Sequence, residues 1–263
     1  MDTILAEQGL KLTYLRDPST SEAFDPCRIL DDLYEESMPG AVLPWRNWLR
    51  IIDGDHLVLA TGTGNGRCRA ALAASDLATD REPFLLLDAA YCTPVANASH
   101  LLQRMLALAM LRIAGDAAVP TVIAACVRTP SDAHSLRNLC QRFTGAASFP
   151  GAPDDRVIDL GMASLARRIA RAVRPASRYD VATGIFCPRA AARYGAGIQG
   201  GCSGTEETLV VIDLSAAGEA AILDTARKLY RAWPRRRARH GAAIAVARTA
   251  SHAQRGLRDA TGF

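Results

Sequence analysis

The feature that most constrains this chain is a strand-helix-strand succession between residues 83 and 127. Pro83–Asp88 holds an unbroken apolar run, Phe84-Leu85-Leu86-Leu87, of the kind found in strands buried on both faces. After an irregular stretch, Ala89–Ala98, the spacing of Leu102, Met105, Leu106, Ala109 and Ile113 predicts a helix from Ser99 to about Ala114, ended by Gly115. Thr121–Val127 is strand-like again. A crossover of this kind places two strands in one sheet with the helix packed on it.

The flanking segments extend the pattern. Residues 22–52 are predicted helical, with Ile29, Leu30, Leu33 and Tyr34 on one stripe and a break at Pro39-Gly40. A short helix is expected over Pro44–Ile52, where Trp45, Trp48, Leu49 and Ile52 share a face. His56–Ala60 is a strand, and Asn65-Gly66 signals a hairpin back into Arg67–Ala74. After Thr129-Pro130-Ser131, a helix carries Leu136, Leu139, Cys140 and Phe143 inward. Residues 24–149 therefore run α-α-β-β-β-α-β-α, and the expected fold is α/β, a mixed twisted sheet flanked by helices. A boundary near Gly145–Asp155 divides the chain into 1–150 and a C-terminal α/β extension, 151–263. The extension has a helix at Leu165–Val173, strands at Val181–Cys187 and Leu209–Leu214, a loop at Gly195–Gly204 and a helix at Glu219–Arg231. It is expected to cover the sheet edge, form a homodimer interface or contribute to the pocket.

Composition removes several classes. With 263 residues, 49% of them hydrophobic and 22% charged, the chain can build a globular core. Its longest apolar stretch, Leu101–Val127, is broken by Gln103, Arg104, Arg112, Asp116 and Pro120, so no membrane span is expected. The seven cysteines are scattered singly, which argues against a disulfide framework or a zinc site and for a reducing, cytoplasmic setting. Residues 1–40 hold nine Asp/Glu against three Lys/Arg, and residues 227–258 hold ten Lys/Arg and no acid. The basic run Trp233–His240 lacks interleaved aromatics, which argues against a nucleic-acid partner.

Two segments compete for chemistry. Val58-Leu59-Ala60-Thr61-Gly62-Thr63-Gly64-Asn65-Gly66, a strand running into G-x-G-x-G, resembles the first motif of S-adenosylmethionine-dependent methyltransferases. That resemblance implies a cofactor loop there, with Asp88 on ribose hydroxyls. The competing assignment of the same glycines is a plain hairpin turn.

The second segment is the strand-loop-helix over residues 84–114, followed by Thr121–Val127 and the helix of Arg128-Thr129-Pro130-Ser131-Asp132-Ala133-His134-Ser135-Leu136-Arg137-Asn138-Leu139. In element order, residues 24–149 resemble the GNAT-type N-acyltransferase superfamily. The resemblance implies an acyl-coenzyme A cofactor, acetyl-CoA or another, and a small-molecule or peptide amine as acceptor. It places the pantetheine arm on the backbone of Leu86, Leu87 and Asp88, and Tyr91 just before the phosphate loop. Cys92, Thr93, Val95, Ala96 and Asn97 would then cradle the pyrophosphate, and Ala98 and Ser99 would open the helix whose N-terminus faces it. Asp88, ending its apolar run, is the candidate general base. Val95 and Asn97 stand where the family has glycines, and Pro94 offers no N–H. A third reading follows, a catalytically inactive GNAT-fold binding module.

Smaller features have bland assignments beside the sharp ones. Ser131, Asp132 and His134 fit an N-cap better than a nucleophilic triad at such close spacing. His56 and His100 stand alone, without a second ligand nearby. Cys92 is either a small buried hydrophobe or a thiol whose pKa a helix N-terminus lowers.

Overall fold

The computed structural model describes residues 3–5, 9–20, 25, 28–29, 31–33, 53–92, 98–127, 130–150, 159–187 and 207–231. Met1–Tyr230 form one compact unit, and Arg231–Phe263 a second, of which only Arg231 is described. The helices expected at Pro44–Ile52 and over most of residues 22–52 lie outside the described residues, although 28, 29 and 31–33 are helical.

The first unit is built on a ten-stranded sheet. Its strands are β1 (Thr3–Leu5), β2 (Leu10–Arg16), β3 (His56–Gly62), β4 (Cys68–Ala78), β5 (Pro83–Cys92), β6 (Val122–Val127), β7 (Ala147–Phe149), β8 (Arg178–Asp180), β9 (Ile185–Cys187) and β10 (Thr208–Asp213). The helices are α1 (Ala98–Asp116), α2 (Pro130–Cys140), α3 (Leu160–Val173) and α4 (Glu219–Arg231). The strand order is β1-β2-β3-β4-β5-β6-β10-β9-β8, with β7 also on β10. All pairs are antiparallel except β5 and β6, which α1 joins as a parallel crossover. The mixed α/β sheet flanked by helices is therefore the architecture that the crossover pattern predicts.

Alternation along the strands sorts the core. Val58, Ala60, Leu72, Ala74, Leu85, Leu87 and Ile123 face one way, against Leu101, Met105, Ala109 and Ile113 of α1. On the other face, Leu86, Ala124, Leu209 and Val211 meet α3. The apolar positions of α3, Met162, Ala163, Leu165, Ala166, Ile169 and Ala170, recur at helical spacing and are all buried. Asp159 caps α3 by accepting from the backbone N–H groups of Gly161 and Met162 at 2.8 and 3.2 Å, a contact of the kind that contributes about 1 kcal/mol. Farther along that face, Leu57, Leu59, Ala71, Ala73 and Ala89 cluster with Leu33. β10, from beyond the expected 145–155 boundary, runs antiparallel to β6 over its whole length, so the sheet is continuous across that point.

Several strand assignments differ from expectation. β1 and β7, three residues each, were not expected, and of the strand expected at Val181–Cys187 only Ile185–Cys187 is extended, with a turn before it. β2 was not expected, although Leu10 and Leu12 alternate with Lys11 and Thr13 and its two ends pair with Gly62 and His56. β8 is a three-residue edge strand, too short for a periodic signal. β5 continues through the stretch expected to be irregular: β4 is eleven residues long and pairs Ala73 with Ala89, Ala71 with Tyr91 and Ala70 with Cys92.

Candidate functional site

β5 and β6 do not stay together. They pair at Leu85–Ile123, Leu86–Ala124 and Leu87–Ala125, and there the ladder ends. β5 goes on for five more residues, held among the described residues by β4 alone. Past Leu87 the β5 edge turned toward β6 therefore has no ladder partner strand among the described residues.

A register change marks the same place. Ala74 of β4 faces Leu87 and Ala73 faces Ala89, so Asp88 is an extra residue bulged out of β5. The bulge resets the alternation. Leu85 and Leu87 face α1, while Ala89 packs on the opposite face with Ala71 and Ala73. The half-buried Asp88 accepts a hydrogen bond at Oδ2 from the Ser75 hydroxyl of β4, at 2.5 Å.

The remaining candidates fall on or near this strand end. Leu86 and Leu87 are the last residues paired to β6, and both are buried. Tyr91 and Cys92 are half-buried β5 residues, not loop residues. Cys92 does not carry a lowered pKa: burial pushes its thiol up to about 11, so it is a protonated, weakly reactive group packed against the α1-side core. Thr93, Val95, Ala96 and Asn97 lie outside the described residues. Ala98 opens α1 and Ser99 follows in its first turn; their side chains are likewise outside.

The α3 face near the parting strands carries polar groups that the sequence did not single out. Glu207, just before β10, is a buried carboxylate held by Arg174, and the Arg174 guanidinium also lies 5.0 Å from the centre of the Phe186 ring. Tyr179 packs against the same core cluster as Cys126, and its hydroxyl is buried with no hydrogen-bond partner among the described residues. Ser75 also escaped notice, because it is paired to Asp88 only through the bulge register, which no local pattern encodes.

The glycine segment is a turn. Gly62 N–H donates to Arg67 O at 2.8 Å and Gly66 N–H to Gly62 O at 2.9 Å, with Gly66 at a φ of 65°. The chain then returns as β4. The methyltransferase reading needs a helix after these glycines, and the hairpin supplies none, so no helix N-terminus faces a cofactor there.

Across β4 from the bulge, His56 of β3 is buried with both ring nitrogens engaged, Nδ1 with the Tyr14 hydroxyl at 2.8 Å and Nε2 with Asp76 Oδ2 at 2.9 Å. His134 is exposed on α2, and the side chains of Ser131 and Asp132 are outside the described residues. A concavity of about 510 Å³ lies between the 79–82 turn and α3, beside the start of β5. Arg168 on its wall is tied to Glu82 Oε1 through Nε and Nη2 at 2.9 and 2.7 Å.

No family model matches the chain, and no curated protein does. Among solved structures, a chain from Sphaerobacter thermophilus described as a "putative acetyltransferase" matches with a TM-score of 0.32 and 7% identity, over 77% of this chain and 92% of that one. A likeness this loose says nothing about activity.

Proposed function

We propose that this protein is an acyl-coenzyme A-dependent N-acyltransferase that moves an acyl group, most simply acetyl, to a primary amine. The observation that carries the proposal is the end of β5–β6 pairing after Leu87 and Ala125, at the Asp88 bulge. An amide-rich arm such as pantetheine fits alongside the strand end past the last β5–β6 pair, with Leu86, Leu87 and Tyr91 beside its path. α1 begins at Ala98, six residues past the strand end, and its N-terminus offers N–H donors and a positive dipole end to phosphates. Cys92, Thr93, Val95, Ala96, Asn97, Ala98 and Ser99 are the proposed phosphate segment.

Asp88 is the proposed base. An acceptor ammonium gives one proton to its carboxylate, directly or through a water. The amine nitrogen then attacks the thioester carbonyl and the C–N bond forms; the nitrogen loses its second proton to solvent as the C–S bond breaks. The coenzyme leaves as the thiolate and takes a proton from solvent. General-base help of this kind contributes about 10²–10⁴-fold.

Calorimetry and thermal unfolding with acetyl-CoA test the proposal. A ligand at 100 times its dissociation constant stabilises the folded state by about 2.7 kcal/mol. Binding without thiol release toward any primary amine points to a binding module on the same scaffold. Silence at millimolar acetyl-CoA removes the proposal.

A further inference from the structure

Resting on the acyltransferase reading, we propose that Ser75 is the positioning residue for the Asp88 base. A carboxylate side chain has two rotatable bonds, and a general base works only when its oxygen is held within reach of the proton it takes. Ser75 supplies such a hold: its hydroxyl donates to Asp88 Oδ2 at 2.5 Å. Both residues are half-buried, so the bond is only partly screened by water.

The register explains why this serine reaches that carboxylate. Ser75 pairs with Leu86, two residues before Asp88, and in a regular ladder its direct partner would be the nearer side chain. Alternation puts Asp88, like Leu86, on the face of β5 opposite Leu85 and Leu87, which is also the face of Ser75; it is Ala89 that leaves the alternation after the extra residue. The bulge lies where β6 lets go of β5. A serine-held carboxylate therefore stands at the point of separation. A donor to the ionised form also keeps the carboxylate in the state that accepts a proton.

Carboxyl-labelled aspartate NMR on the full chain tests this without a known acceptor, with Asp88→Asn assigning the Asp88 resonance. In Ser75→Ala the titration midpoint of that resonance should move up by about one pH unit, and Ser75→Thr, which keeps the hydroxyl, should restore it. In parallel, acetyl-CoA binding is measured by calorimetry on all variants and should be unchanged, since Ser75 holds the base and not the coenzyme. Thiol release from acetyl-CoA with primary amines should fall about tenfold in Ser75→Ala at constant KM, with the acid limb of its pH profile displaced in the same direction. An unmoved midpoint in Ser75→Ala overturns the role of Ser75, whatever acetyl-CoA does. Absence of acetyl-CoA binding to the unaltered protein overturns the acyltransferase reading, and with it the catalytic use of the pair, even when the midpoint moves.

Discussion

The two halves of β5 share a strand and a composition of small and aliphatic residues, yet they are held in opposite ways. Phe84–Leu87 is clamped between β4 and β6, with Leu85 and Leu87 against α1 and Phe84 and Leu86 against α3. Ala89–Cys92 has β4 on one side and no strand on the other among the described residues. Only one residue, the bulged Asp88, separates them. A sheet can thus be a packed core and an open edge within ten residues, provided a break in register stands at the junction. The first half fixes the position of the second.

The comparison is broken most directly by emptying the clamped half. Leu85 is 1% exposed, and Leu85→Ala should destabilise the fold by about 2–5 kcal/mol through lost transfer energy and the cavity left behind. The matching change in the open half, Ala90→Ser at an exposed position, should stay within about 0.5 kcal/mol. Urea midpoints at constant m-value give both numbers. Similar costs at the two sites would mean that the outer half is packed like the inner one, and the open edge would be lost as an idea.

The β2–β3 side of the sheet, across β4 from the bulge, sharpens the contrast. There the strand ends are tied shut: His56 bridges Tyr14 and Asp76, Asp76 N–H donates to Asp55 at 2.7 Å, and Arg16 reaches Asp116 at the last turn of α1 at 3.5 Å. His56→Ala removes both ring contacts. Asp76 is half-exposed and turns to water, so the cost falls mainly on the buried side of Tyr14, about 1–3 kcal/mol. Acetyl-CoA binding should be unaffected, because the ring bonds of His56 go to Tyr14 and Asp76 and not to Ser75 or Asp88, although Asp76 is the next residue along β4 from Ser75. A linked loss of stability and binding would show that the two clusters act as one unit.

How much of this was legible follows from which signals are local. The crossover was, because a run such as Phe84–Leu87 and the helical spacing of Leu102, Met105 and Ile113 each fit only one element. The hairpin at Asn65-Gly66 was as well, since Gly66 takes the positive φ that turn chemistry demands. β2 was missed because its seven residues carry one weak alternation whose meaning comes from pairing with β3, about 45 residues on. Asp88 was legible as the end of an apolar run. Ser75 was not, because bulge and register are properties of two strands together. For Cys92 the sequence offered two readings, a thiol near a helix start, where thiols ionise readily, and a small buried residue, where they do not; packing against the core favours the second.

That burial gives the smallest effect. Burial holds the Cys92 thiol at about 11 and the Cys68 thiol at about 12, against an ordinary 9.0, and holds the Tyr14 phenol at about 12 against 10.0. In each case the neutral acid is the form the folded state keeps, so the unfolded chain releases its proton first as pH rises. Between pH 9 and 12 the folded state therefore binds more protons than the unfolded one, and stability falls with rising pH; below 9 the three groups contribute in full. Cys92→Ala should flatten the alkaline slope between pH 9 and 11 while leaving the neutral urea midpoint nearly unchanged, since the half-buried side chain loses only its sulfur. Iodoacetamide should label Cys92 slowly at pH 7 and faster as pH approaches 11. Rapid labelling at neutral pH would mean a thiolate, and would make Cys92 an ionised member of the phosphate segment beside the α1 N-terminus.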